Sequence, residues 1–204
     1  MNSVSCQGRQ ITPSKIVCIG RNYVAHIEEL GNEIPDDMVV FLKPNSAIGN
    51  TLHSVRDGEP LHYEGEIALL VENGSFSAAG FGLDLTKRRL QGTLKQAGLP
   101  WERAKAFDGA ALFSEFAPLP GEVDDLALEL DINGSLRQTG HCGLMMYPPA
   151  TILSQLRSFM TLEDGDIVMT GTPAGVGEVE AGSQFTGRIL HGDNTLTSQF
   201  WEAM

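Results

Sequence analysis

Tyr63-Glu64-Gly65-Glu66-Ile67-Ala68-Leu69-Leu70-Val71 runs directly into Glu72-Asn73-Gly74-Ser75. The stretch from Glu66 to Val71 predicts a buried strand, and the Asn-Gly step predicts a tight turn after it. Residues two apart on a strand project from one face, so Glu64 and Glu66 would set four carboxylate oxygens side by side. Carboxylates crowded away from water need a cation, and all-oxygen ligation suits Mg²⁺ or Mn²⁺ better than zinc. The competing reading is a strand that begins in solvent, with both glutamates at its wet end. Asp84, in Gly80-Phe81-Gly82-Leu83-Asp84, is the third carboxylate of the candidate metal set.

Working outward, strand signals outnumber helical ones. Lys15-Ile16-Val17-Cys18-Ile19-Gly20 reads as a buried strand, followed by a short helix from Tyr23 to Leu30 that Gly31 stops. Met38 to Leu42 is a further strand, broken at Pro44. Leu85 to Gly98 has good helix formers, which would place Asp84 near a helix N-terminus. Leu126 to Ile132 alternates, and Asn133-Gly134 predicts a type I′ hairpin into Ser135-Leu136-Arg137-Gln138. Pro149 to Met160 predicts a helix with Ile152, Leu156 and Phe159 on its apolar stripe. Asp166 to Thr170 reads as a strand opening into the glycine-rich loop Gly171-Thr172-Pro173-Ala174-Gly175-Val176-Gly177, which lacks the lysine and spacing of a phosphate-binding loop. There is no internal repeat, and the reading is one domain over 1–204, α+β and mainly β, with residues 1–14 as a short extension.

Composition narrows the function classes. The formal charge is -12 and the pI near 4.7, which argues against a nucleic-acid partner. No apolar run approaches the ~20 residues that cross a bilayer, and the first residues hold no signal-peptide core, so the expectation is a cytoplasmic protein without a membrane partner. Cys6, Cys18 and Cys142 show neither a disulfide framework nor a zinc-ligand spacing.

A second chemical group lies in Gly20-Arg21-Asn22-Tyr23-Val24-Ala25-His26-Ile27-Glu28-Glu29-Leu30. His26 and Glu29 are helical neighbours three apart, while Val24, Ile27 and Leu30 form an apolar stripe on another side. The pair should therefore face away from the core. A carboxylate beside an imidazole orients it and raises its basicity, as a general base near neutral pH requires. An ordinary exposed helix face is the competing reading.

These residues, with Phe41-Leu42-Lys43-Pro44, Leu83-Asp84-Leu85-Thr86, Leu99-Pro100-Trp101, Ala104-Lys105-Ala106-Phe107-Asp108 and Gly165-Asp166-Ile167-Val168-Met169-Thr170-Gly171-Thr172-Pro173, resemble the fumarylacetoacetate hydrolase family. The match runs in order from about Lys15 to the C-terminus and is most similar to the short acylpyruvase and fumarylpyruvate hydrolase type. The resemblance implies a mixed β-sheet roll with a few flanking helices, and a homodimer. It implies that Glu64, Glu66 and Asp84 ligate Mg²⁺ or Mn²⁺, and that His26 with Glu29 activates water from a lid. Lys105 would support developing charge, and Arg21, Arg88, Gln91 and Thr172 would bind substrate.

The activity expected first is hydrolysis of a C–C bond in an acylpyruvate or fumarylpyruvate, a small diketo acid, giving pyruvate and a carboxylic acid. The alternative on the same site is oxaloacetate decarboxylation or enol–keto isomerisation, which needs an enolate but no attacking water. An alternative of another class is a cupin-like metal protein using His62, Glu64 and Glu66, which share strand spacing.

Overall fold

The computed structural model describes residues 1–29, 31 and 35–204. Strands hold 44% of the chain and helices 18%, so the mainly β expectation is met. In chain order the principal elements are β1 (Lys15–Gly20), α1 (Val24–Glu29), β2 (Val39–Pro44), β3 (Gly65–Glu72), β4 (Ser75–Asp84), α2 (Arg88–Gln96) and α3 (Glu102–Lys105). They continue with β5 (Ala111–Phe113), β6 (Leu126–Ile132), β7 (Ser135–His141), α4 (Pro149–Arg157), β8 (Ile167–Met169), β9 (Gln184–His191) and β10 (Asn194–Glu202).

One sheet has the order β5-β4-β3-β8-β1-β2, antiparallel except where β8 runs parallel to β1. A second, antiparallel sheet has the order β7-β6-β9-β10. The central strand β3 is buried on both faces, which explains its unbroken apolar sequence. Ile67 and Leu69 pack with Phe81 and Leu83 against Leu128, Leu130, Phe185 and Trp201 of the second sheet. Ala68 and Leu70 join Ile16, Cys18, Ile167 and Met169 on the opposite face. Val17, Ile19 and Val168 take Ile152 and Leu156 of α4.

Several predicted boundaries move. Leu30, the expected end of the first helix, lies outside the described residues. Val24 is 41% exposed, so Ile27 rather than a Val24–Ile27 stripe buries that helix. The helix expected from Leu85 begins only at Arg88, because Ser75 to Asp84 is spent on β4, the long partner of β3. Phe159 falls beyond α4 and is 61% exposed, which corrects its place on the apolar stripe. The Asn133-Gly134 hairpin forms as predicted, with both residues at positive φ. All three cysteines are free and buried. No helix among the described residues is long and apolar enough to cross a membrane.

Candidate active site

The β3/β4 register builds the floor of the site. Glu66 pairs with Gly82, and the Asp84 N–H donates to the Glu64 carbonyl at 2.9 Å. Glu64, Glu66 and Asp84 therefore share one face, with candidate ligand atoms all within 4.8 Å of one another. Glu64 sits just before β3 rather than in it, and the wet-end reading fails because Glu64 is 6% and Glu66 2% exposed. His62, central to the cupin-like reading, is not among the residues grouped as possible ligands.

Buried cations partly balance this charge. Lys105 Nζ donates to Glu64 Oε2 at 2.8 Å, to Asp84 Oδ2 at 2.7 Å and to Thr86 Oγ1 at 2.7 Å. Arg88 pairs with Glu64 Oε1 and donates to Gln91 Oε1 at 2.9 Å. Lys43, fully buried on β2, lies 2.8 Å from Asp84 Oδ1 and donates to the Lys105 carbonyl. Desolvation would raise the Glu64 carboxyl, but Lys105 and Arg88 outweigh it and hold Glu64 below its ordinary range. Desolvation would lower the Lys105 ammonium, but Asp84 and Glu64 hold it above its usual value. Glu66 goes the other way: burial, then Asp84 and Glu64, push its carboxyl well above the carboxylate range.

The residues fit a hard divalent cation. Their donors are all carboxylate oxygens, Glu66 lacks the charge compensation that Glu64 enjoys, and Asp84 Oδ1 makes no hydrogen bond despite its closeness to Lys43. A cation here would supply the missing positive charge.

Two loops form the walls. Gly171 N–H donates to Glu66 Oε2 at 2.7 Å, and Gly171 has φ +100°. A Cβ there would meet the Asn22 Cβ at 2.8 Å, so the approach to Glu66 requires glycine. Asn22, fully buried, ties β1 to this loop by donating to Thr170 O at 2.8 Å and accepting from Tyr147 N–H at 2.8 Å. Gln138 of β7 donates to Thr172 Oγ1 at 2.8 Å and accepts from Gly65 N–H at 2.9 Å, linking the loop to the residue between the two glutamates.

His26 is 6% exposed, with Nδ1 3.2 Å from Glu29 Oε2. The pair faces away from the hydrophobic core as expected; His26 is covered because it lines the same cavity as the three carboxylates, while Glu29 stays exposed. Arg21, Arg88, Gln91, Lys105 and Thr172 also line it. Nine of the ten predicted site residues thus line one cavity, and Glu29 touches it through His26. Lys43, Asn22 and Gln138 were not picked out as site residues. For Lys43 and Asn22 the available signal was a polar residue inside an otherwise apolar strand or helix start. A larger cavity of about 580 Å³, between Asn2–Ser5 and the Ser114-Glu115 segment, holds no comparable set of groups.

Residues 15–198 match the family model described as fumarylacetoacetate (FAA) hydrolase C-terminal. The chain belongs to the fumarylacetoacetate hydrolase family. Among family relatives, the oxaloacetate tautomerase YcgM of Escherichia coli is 38% identical over 203 residues, covering 91% of this chain and 92% of that protein. Among solved family structures, one from Oleispira antarctica, provisionally named a fumarylacetoacetate isomerase/hydrolase, superposes with a TM-score of 0.93 at 35% identity, covering 100% of both chains. The fumarylpyruvate hydrolase of Pseudomonas aeruginosa, crystallised with Mn²⁺ and pyruvate, gives a TM-score of 0.90 at 29% identity, covering 100% of this chain and 95% of that one. Every residue of the candidate site lies within the stretch that matches the family model.

Proposed function

We propose that this protein is an oxaloacetate tautomerase dependent on Mg²⁺ or Mn²⁺, interconverting the enol and keto forms of a short 2-oxo dicarboxylic acid. The choice of reaction is carried by the 38% identity, across 91% of the chain, to a protein of that name. It replaces acylpyruvate hydrolysis as the leading reading, since the relative bearing a hydrolase name and Mn²⁺ is less similar, at 29% identity.

The cation would be held by Glu64, Glu66 and Asp84, and when bound it supplies Lewis acidity that favours the enolate of a 2-oxo acid. The chain's own groups perform the rest. Arg88 and Gln91, joined by their hydrogen bond, present donors to the 2-oxo acid end of the substrate, and Arg21 and Thr172 flank it. Lys105 fixes Glu64 and Asp84 in place through its three hydrogen bonds and keeps a positive charge beneath the developing oxyanion. His26 Nδ1 is engaged by Glu29, leaving Nε2 as the ring nitrogen for proton transfer. In the keto-to-enol direction, Nε2 takes the C3 proton as the C3–H electron pair becomes the C2=C3 bond. The proton is then returned to the C2 oxygen. Glu29 stabilises the imidazolium formed in between.

Hydrolysis of acylpyruvates is the second reading, favoured by the same His26–Glu29 pair, because a base of this kind also suits water. One experiment separates them: with Mg²⁺ present, follow loss of enol absorbance for oxaloacetate and release of pyruvate from acetylpyruvate and fumarylpyruvate. The tautomerase reading expects fast enol–keto conversion and slow acylpyruvate cleavage; the reverse order of rates would replace it with the hydrolase.

A further inference from the structure

Strand β7 leaves Ser135, Leu136, Arg137 and Thr139 exposed and buries one polar side chain, Gln138, which is 1% exposed. The hydrogen bonds of its amide have a fixed sense. Gly65 N–H can only donate, so the atom 2.9 Å from it is the amide oxygen. The Pro173 carbonyl can only accept, so the atom 2.9 Å from it is the amide nitrogen. The second proton of that nitrogen goes to Thr172 Oγ1, 2.8 Å away. Thr172 Oγ1 is therefore the acceptor in this bond, and its own proton is left for another partner. Pro173 O lies 3.4 Å from Thr172 Oγ1, well beyond the roughly 2.8 Å usual for a hydroxyl donor, and it already takes the Gln138 amide. Thr172 is 3% exposed and lines the cavity that holds the three carboxylates.

We propose that Gln138 is a positioning residue: by donating to Thr172 Oγ1 it turns the hydroxyl proton into the cavity, where an anionic oxygen of the bound ligand accepts it. This role rests on reading the cavity as a 2-oxo-acid site and adds to that site a residue that touches no substrate. An anionic oxygen is the partner that gains most, because a hydrogen bond to a charged acceptor is roughly twice as strong as a neutral one. Gln138 belongs to the second sheet, yet its oxygen holds Gly65, the residue between Glu64 and Glu66. One buried side chain therefore ties the acidic floor to the loop and sets which way the loop hydroxyl points. Without the Gln138 amide, the Pro173 carbonyl is free to take the Thr172 proton and turn it away from the ligand.

The test is calorimetric titration of oxalate, an unreactive dianion, in buffer containing Mg²⁺, against the wild-type protein, Thr172→Val, Gln138→Met and the double variant. Thr172→Val should weaken oxalate binding about 10-fold, the scale of one hydrogen bond to a charged group, and Thr172→Ser, which keeps the hydroxyl, should stay within about threefold of wild type. Gln138→Met, which removes both amide donors without adding charge, should lose about as much as Thr172→Val. The double variant should lose no more than either single one, because the second change removes nothing that the first has left in place. A merely structural Gln138 would weaken Mg²⁺ binding measured without oxalate and add its loss to that of Thr172→Val. Additive losses, or wild-type oxalate affinity in either single variant, overturn the assignment. Gln138→Glu, which keeps an oxygen for Gly65, serves where Gln138→Met does not fold. Its added charge repels oxalate equally with and without the Thr172 hydroxyl, so its loss should be about 10-fold larger in the wild-type background than in Thr172→Val, and equal losses overturn the assignment. Oxalate binding that depends on Gln138 and Thr172, in a protein that does not interconvert the oxaloacetate tautomers, would keep this inference and lose the proposed reaction.

Discussion

Glu29 Oε1 accepts a hydrogen bond from the Gly175 N–H at 3.0 Å, joining residues 146 positions apart. The other oxygen of the same carboxylate lies 3.2 Å from His26 Nδ1. One side chain therefore orients the candidate base and docks its helix onto the glycine-rich loop that also supplies Gly171 to Glu66. Gly175 has φ +100°, and a Cβ there would stand 2.1 Å from the Arg137 carbonyl oxygen, so this contact depends on glycine.

Glu29→Gln keeps an oxygen for Gly175 but removes the charge that stabilises an imidazolium. Its kcat should fall by roughly 10²-fold, with a smaller change in metal affinity. Steady-state kinetics on oxaloacetate provide the check, and wild-type turnover would place the base elsewhere. Hydrogen exchange over 23–29 should slow when oxalate and Mg²⁺ are added together, because the ligand favours the docked helix.

Metal dependence follows from the charge of Glu66. Chelation with EDTA should abolish activity and Mg²⁺ or Mn²⁺ should restore it. Glu66→Gln should weaken metal affinity by about 10-fold or more, since an amide removes one negative charge from a site with few alternative protein ligands. Metal titration of the purified variant measures this, and full activity in excess EDTA would refute the assignment.

Lys43 is fully buried beside Asp84, so Lys43→Met removes a cation from a place water cannot reach. The variant should lose about 3 kcal/mol of stability, the lower end for breaking a buried pair, because Lys105 still serves Asp84 Oδ2. Arg9→Met, which breaks the exposed pair with Glu72, should cost about 0–1 kcal/mol. Urea unfolding of both variants gives the comparison, and equal losses would contradict the burial argument.

Asp166 anchors the start of β1. Its carboxylate accepts from Ser14 N–H at 3.0 Å, Ser14 Oγ at 2.6 Å and Glu163 N–H at 2.9 Å, and it pairs with Lys15. Burial alone would raise this carboxyl, but the hydrogen bonds from Lys15, Ser14 and Glu163 hold it below its ordinary value. A depressed folded-state value means the stabilisation is complete above the unfolded value of about 4 and is lost as pH falls through the lower folded value. Asp166→Asn should therefore be less stable at neutral pH and show a flatter acid limb. Thermal melts between neutral pH and the acid range would reveal this, and an unchanged limb would assign acid sensitivity to other carboxylates.

Local elements were legible where their cause lies within a few neighbouring residues. Lys15–Gly20 forms over its predicted span, and Asn133-Gly134 turns as its residues demand. That nine of the ten candidate residues would line one cavity was legible because their motifs keep a family order. Other features were not. Ser75 to Asp84 was not read as a strand, since its small residues and glycines weaken any periodic signal; β4 owes its length to pairing with β3. Phe159 fits the helical stripe by spacing, but α4 stops at Arg157 and leaves it in solvent.

From sequence alone the chain reads as mainly β, with Glu64 and Glu66 at strand spacing as a candidate acidic floor, buried or wet, and with a His-Glu pair at helical spacing. Both follow from periodicity and side-chain chemistry over short distances. Only the tertiary structure decided which charges face that floor. Lys105 reaches Glu64 across 41 residues, Gln138 reaches Gly65 across 73, and Lys43 enters from a strand not paired with β3 or β4. Whether a buried carboxylate stays charged, takes a proton or takes a metal depends on those distant partners, because in a low-dielectric interior each nearby cation outweighs anything the local sequence contributes.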